Sequence, residues 1–154
     1  MGANPARSPA DINLIIKAGI TVFVNLQEQT EFLPQGPLIP YDDLLPAHIR
    51  IIHLPIRDRQ TVSDAKAREY CKTILSLLDD GNKIYLHCLG GKGRTGTIGA
   101  IVLGIKYGLA GPEALRRIRA AFATRRNKGT HANRVPQTQA QISQVIRMLS
   151  TAQN

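Results

Sequence analysis

Apolar residues recur along this chain with two periods, and the alternation between them lays out the fold. Short runs rich in Ile, Val and Phe, from Ile20 to Leu26, from Ile49 to Ile56 and from Lys83 to His87, read as strands. Between the second and third runs, apolar residues at 67, 70, 71, 74, 75 and 78 trace a helical stripe that ends at Gly81. Thr61 and Asp64 have the spacing of a capping box for that helix. Upstream, Ser8-Pro9-Ala10-Asp11 predicts a helix start with Ser8 as N-cap, and Gly19 closes it. Thr95 to Tyr107 is apolar nearly all round, which predicts a buried central helix closed by Gly108. Two more helices are predicted, from Pro112 to about Thr124 and from Pro136 to about Leu149, while Pro34, Gly36, Pro37, Pro40 and Pro46 break residues 27–48 into loop. Strands alternating with helices predict an α/β fold, a central mostly parallel sheet flanked by helices. Ligands of such folds bind beyond the C-terminal ends of the strands.

Composition narrows the class. The 154 residues suit one domain, residues 1–154, and 43% hydrophobic against 20% charged residues predicts a soluble globular chain. No apolar run reaches the roughly 18–20 residues of a membrane span. No basic and apolar leader opens the sequence, and Ala6 stands where a myristoylation signal needs Ser or Thr. Two cysteines, Cys71 and Cys88, cannot build a disulfide framework, so the expected compartment is the reducing cytoplasm, with the nucleus left open. Cys71 reads as a core-facing helix residue or as a resolving thiol for Cys88. The net charge of +9 is uneven: residues 1–80 carry −2 and residues 81–154 carry +11. Such a half is either a solvated basic face or a field that draws in anions. Arg125, Arg126, Lys128 and Arg134 concentrate it between the last two helices.

The chemistry is densest at residues 87 to 96, His-Cys-Leu-Gly-Gly-Lys-Gly-Arg-Thr-Gly, between a strand and the central helix. Small residues in a tight loop let backbone N–H groups converge on one oxyanion, and the helix adds its positive N-terminal end. Donors of this kind favour the thiolate, the attacking form of cysteine. Arg94 adds a planar fork that grips two phosphoryl oxygens at once. A Walker-type phosphate loop fits less well, because no Gly-Lys-Ser/Thr triplet occurs.

His87, Cys88, five residues, Arg94 and Thr95 fill every position of the signature of the cysteine-dependent protein tyrosine phosphatase superfamily, which this chain resembles, in its small dual-specificity form. The resemblance implies hydrolysis of phosphomonoesters, on phosphotyrosine, phosphoserine or phosphothreonine of a protein substrate, through a phosphocysteine intermediate. Cys88 is then the nucleophile. Arg94 and the amides of Leu89, Gly90, Gly91, Lys92 and Gly93 bind the phosphoryl group. Thr95 donates to the sulfur and also suits the N-cap of the central helix, and His87 orders the loop.

A general acid must protonate the leaving oxygen. The resemblance places it on the loop after the strand before the long helix, at Asp58; Asp64 is the rival, with a capping position that gives it structural work. Gln137 and Gln141 match the glutamine loop of tyrosine-specific members, where the first orients the hydrolytic water; a polar first helical turn is the other reading of both. Gly2-Ala3-Asn4-Pro5 resembles a segment that follows a short first strand in the family. No metal or other cofactor is called for, since thiolate, arginine and backbone dipoles supply the electrostatics. A monomer is expected.

Tyrosine-specific members carry an aromatic recognition loop. Here only four Tyr, three Phe and no Trp occur, which points to a shallow pocket. Two other substrates stay open. The Gly-Lys-Gly-Arg segment resembles the loop of phosphoinositide 3-phosphatases, although Leu89 stands where those carry a second Lys. RNA 5′-triphosphatases share the superfamily, but no aromatic platform accompanies the arginines. A non-catalytic phosphate-binding module would normally lack Cys88, Arg94 or Asp58.

Overall fold

A computed structural model describes residues 1–7, 9–33, 36–37, 41–125 and 134–150. The elements run α1 (Pro9–Lys17), β1 (Val22–Asn25), β2 (Phe32–Leu33), β3 (Gly36–Pro37), β4 (Arg50–His53), α2 (Asp64–Asp79), β5 (Ile84–His87), α3 (Gly93–Tyr107), α4 (Gly111–Ala123) and α5 (Gln139–Ser150). The three longer strands form a parallel sheet in the order β4-β1-β5, with Val22 opposite both Arg50 and Ile84. β2 and β3 pair antiparallel within the segment read as loop. The α/β architecture is the one the alternating pattern predicts.

The central strand explains its own composition. Val22, Phe23 and Val24 are completely buried, because helices cover both faces of the sheet. Val22 and Val24 join the large core formed with α2 to α5, while Phe23 turns the other way, to Ile12 of α1 and to Tyr41. α3 is buried along most of its length, and Gly104 lets α5 approach it: a Cβ there would lie 2.3 Å from Leu149 Cδ1. Gly2 extends the sheet past β5 by one parallel bridge to His87, its N–H donating to Leu86 O at 2.9 Å. No described helix is long and apolar enough to cross a membrane.

Three boundaries differ from the sequence reading. Ser63, not Thr61, caps α2 by accepting from Lys66 N at 3.2 Å. Asp64 is instead held from α5, by Arg147 in two bonds of 2.7 Å and by Gln144 at 3.0 Å. α3 starts at Gly93, so Thr95 lies inside its first turn and Lys92 is the N-cap. α5 starts at Gln139, not Pro136, because Gln141 Oε1 takes the N–H groups of Gln137 and Thr138 and folds them into a separate turn. Ser8 lies outside the described residues.

Candidate active site

The C-terminal ends of all three parallel strands contribute to one place. β5 delivers Cys88, the segment after β4 delivers Asp58, and the segment after β1 delivers Glu31. Cys88 and Arg94 are nearly sealed, at 3% and 1% exposure, whereas Asp58 is half exposed.

Arg94 is heavily engaged. Nη1 donates to Glu31 Oε1 and to Ile56 O (2.9 Å), and Nη2 donates to Glu31 Oε2 (3.2 Å) and pairs with Asp58 Oδ1 at 2.9 Å. Burial opposes the charge of this guanidinium, but Glu31, Cys88 and Asp58 outweigh it and raise its pKa further. Only Nε–H has no protein partner among the described residues. Glu31 was not singled out from sequence. A carboxylate just beyond a strand end is the one local signal that could have flagged it.

The loop itself turns its carbonyls outward. Leu89 O accepts from Asn4 N at 3.0 Å, Lys92 O from Gly96 N at 3.0 Å and Gly93 O from Thr97 Oγ1 at 2.8 Å. No N–H from Leu89 to Arg94 donates to another described protein group. The result is a row of backbone donors free for an anion at the start of a helix.

His87 is completely buried and faces away from this row. Its Nδ1 lies 3.4 Å from Cys88 O, which can only accept, so Nδ1 carries the proton and Nε2 accepts from Tyr41 O–H. Burial lowers its pKa to about 4 and raises that of Tyr41, so both are neutral near pH 7. Thr95 Oγ1 is buried with no hydrogen-bond partner among the described residues.

Both glutamines meet the loop. A Cβ on Gly93 would lie 2.5 Å from Gln137 Oε1 and 3.0 Å from Gln141 Nε2, so Gly93 admits them. They differ in state. Gln141 is fully buried and spent, with Oε1 on the Gln137 and Thr138 amides and Nε2 on Gln60 O (3.2 Å), which braces the Asp58 segment. Gln137 stays half exposed and, with Arg59, Arg134 and Thr138, lines a cavity of ≈ 340 Å³.

The basic cluster divides. Arg134 is exposed beside that cavity; Arg125 is half-buried against the phosphate loop; Arg126 and Lys128 lie outside the described residues. Lys92 Nζ stands 5.8 Å from the Phe122 ring centroid. Cys71 is buried, and burial pushes its thiol up to about 12. No group of three or more His, Cys, Asp or Glu side chains suited to a metal ion occurs among the described residues.

The profile of a family described as the DSP-PTPase phosphatase domain of Swiss Army Knife proteins (PTP-SAK) matches residues 1–152. The chain belongs to this family. By that description the match is to a phosphatase domain of the PTP superfamily. A protein of Invertebrate iridescent virus 3 named as tyrosine phosphatase 067L is 31% identical over 114 residues, 71% of this chain and 45% of its own length. The chain thus spans less than half of that viral relative. The active form of Tk-PTP superposes with a TM-score of 0.74 at 25% identity, over 97% of this chain and 89% of that one. PTPMT1 in complex with PI(5)P shares the fold, with a TM-score of 0.68 at 14% identity over 98% and 88%.

Proposed function

We propose that this domain hydrolyses phosphomonoesters on phosphorylated protein side chains, of tyrosine and of serine or threonine, through a phosphocysteine at Cys88. The observation that carries the reading is the row of free amides from Leu89 to Arg94, with a sealed cysteine at its start and a sealed arginine at its end. In this mechanism the amides of Leu89 to Arg94 and the Arg94 guanidinium hold the phosphoryl group. The Cys88 thiolate attacks phosphorus as the P–O bond to the substrate breaks. Thr95, whose hydroxyl has no other partner among the described residues, donates to the sulfur. Asp58, carrying a proton, passes it to the leaving oxygen.

A bound phosphoryl dianion competes with Asp58 for Arg94 Nη2, which releases the carboxyl toward the leaving group. Water then attacks the phosphocysteine, Asp58 takes its proton, and inorganic phosphate leaves with Cys88 restored as thiolate. Gln137 orients that water, and Gln141 holds Gln137 and the Asp58 segment in register.

One observation favours a second substrate. Arg59 and Arg134 bring two cations to the cavity beside Gln137, which suits a substrate with more than one phosphate, such as a phosphoinositide. Phosphate release from phosphopeptides, phosphoinositides and triphosphorylated RNA, without metal and with Cys88→Ser as control, tests both. Release from phosphopeptides that Cys88→Ser abolishes supports the first reading. A wild-type protein that releases phosphate only from a phosphoinositide replaces it with the second.

A further inference from the structure

A trans peptide is planar, so a carbonyl turned outward aims the next residue's N–H inward. In the phosphate loop the outer carbonyls therefore decide where the donors point. Most of them are held from nearby: Cys88 O by His87, Lys92 O by Gly96 and Gly93 O by Thr97, with the Asn4 amide on Leu89 O. The two at the glycine pair are different. Gly91 O accepts from Arg125 Nη2 at 3.0 Å, and Gly90 O lies 3.4 Å from Arg125 Nη1. Nη2 also reaches Met1 O at 3.3 Å, so one guanidinium ties the loop to the strand-like segment beside it.

This is where the loop is softest. Glycine moves between backbone conformations with little steric resistance, and Gly91 sits at φ 65 with Gly2 O occupying the place of any side chain. A flip at either peptide would remove an amide from the anion row and insert a carbonyl in its place. Arg125 is built into its position, with its guanidinium carbon 4.5 Å from the Phe122 ring centroid at the end of α4. The position does not suit a solvated steering charge.

We propose that Arg125 is a positioning residue, which holds the Gly90 and Gly91 carbonyls outward and thereby aims the Gly91 and Lys92 amides at the phosphoryl group. This rests on the phosphatase reading and adds a residue that touches neither substrate nor reacting atoms. Its signature is in turnover and in affinity for a compact oxyanion, not in long-range capture of anions.

The test uses Arg125→Lys and Arg125→Ala in the whole chain, with p-nitrophenyl phosphate as substrate and orthovanadate as inhibitor. Arg125→Lys keeps the charge but loses the fork, whose carbon lies over Phe122. Both variants are expected to lower kcat by about tenfold or more, since a misaimed oxyanion donor is worth up to about 10²–10³ in rate. The orthovanadate inhibition constant should rise in parallel, at low and high salt alike. Millimolar guanidinium ion should restore part of the turnover of Arg125→Ala, and ammonium ion should not. If Arg125→Ala does not fold, Arg125→Lys decides alone. A lysine variant with wild-type kcat and orthovanadate affinity overturns the proposal, as does an effect confined to KM that salt abolishes. A wild-type protein that neither hydrolyses the ester nor binds orthovanadate overturns the phosphatase reading itself.

Discussion

The carboxylate of Glu31 lies across the guanidinium of Arg94, one oxygen on Nη1 and the other 3.2 Å from Nη2, and is itself held by the Gln27 side-chain amide (3.1 Å) and the Glu28 N–H (3.0 Å). Burial works against this carboxylate, but the bonds from Arg94 and Gln27 outweigh it and hold its pKa below the usual range. The guanidinium is therefore aimed before any phosphate arrives. Glu31→Ala leaves Arg94 buried with Asp58 as its remaining anion. Breaking a buried pair costs about 3–5 kcal/mol, and the surviving Asp58 contact puts this case near the lower figure. A fall in melting temperature and a loss of about 10–100-fold in kcat/KM on an aryl phosphate are expected. Wild-type values of both would refute the arrangement.

Two aspartates separate by what holds them. Asp58 is half exposed with Arg94 as its partner, whereas Asp64 is locked between α2 and α5 by Arg147 and Gln144. Asp58→Ala should slow turnover about 10²–10⁴-fold on a poor leaving group, and much less on an ester whose leaving group needs no proton. Asp64→Asn should lower the melting temperature and leave kcat per folded molecule unchanged. The reverse pattern in steady-state kinetics would transfer the acid role to Asp64.

His87 gives stability a pH dependence with a definite sign. Its folded pKa is lowered to about 4, against an ordinary value of 6.5. Between these values the unfolded chain binds a proton that the folded chain refuses, so stability declines as pH falls from about 6.5 to about 4. The slope reaches about 1.4 kcal/mol per pH unit. His87→Asn cannot titrate and can still accept from Tyr41. Urea unfolding across this window should show a shallower decline for the variant, and parallel curves would refute the assignment.

Both thiols are buried, and they should differ in reactivity, since only Cys88 opens the row of free amides. Cys71 is buried on α2 with its pKa pushed up to about 12, which makes it a poor resolving partner and a poor target. Brief iodoacetamide treatment of the native protein at neutral pH is expected to place one adduct, on Cys88, by peptide mass spectrometry. An adduct on Cys71 under native conditions would contradict its raised pKa.

What the sequence made legible was local. The runs that became β1, β4 and β5 carry their own periodicity, and His87, Cys88, Arg94 and Thr95 sit in one contiguous segment. Their roles follow the family resemblance, and the contiguous loop needed no tertiary information to be placed between β5 and α3. Residues that act through the fold were not legible. Glu31 is 63 positions from Arg94, and Arg125 is 34 from Gly91. Neither stands in a pattern that names its partner. The Thr61 cap failed for the same reason: the spacing to Asp64 was right, but Arg147, 83 positions away, had already claimed the carboxylate.

Two arginines stand beside the cavity. Arg59 and Arg134 line it with Gln137, next to Gly93, and neither forms an ion pair with a described residue. Exposed cations at such a rim raise the local concentration of anions and do little for the chemical step. Arg59 occupies φ 60, a conformation that Asn tolerates better than most residues, so Arg59→Asn removes the charge without adding backbone strain. Combined with Arg134→Gln, it should raise KM for a substrate bearing two phosphates and flatten that KM against salt. The kcat on p-nitrophenyl phosphate should stay near wild type, because Cys88, Arg94 and Asp58 are untouched. A solvated face with no part in capture predicts the same KM for every substrate. Measuring a singly and a doubly phosphorylated peptide at low and high salt separates the two, and a KM that ignores both substitutions and salt would remove these arginines from substrate recognition.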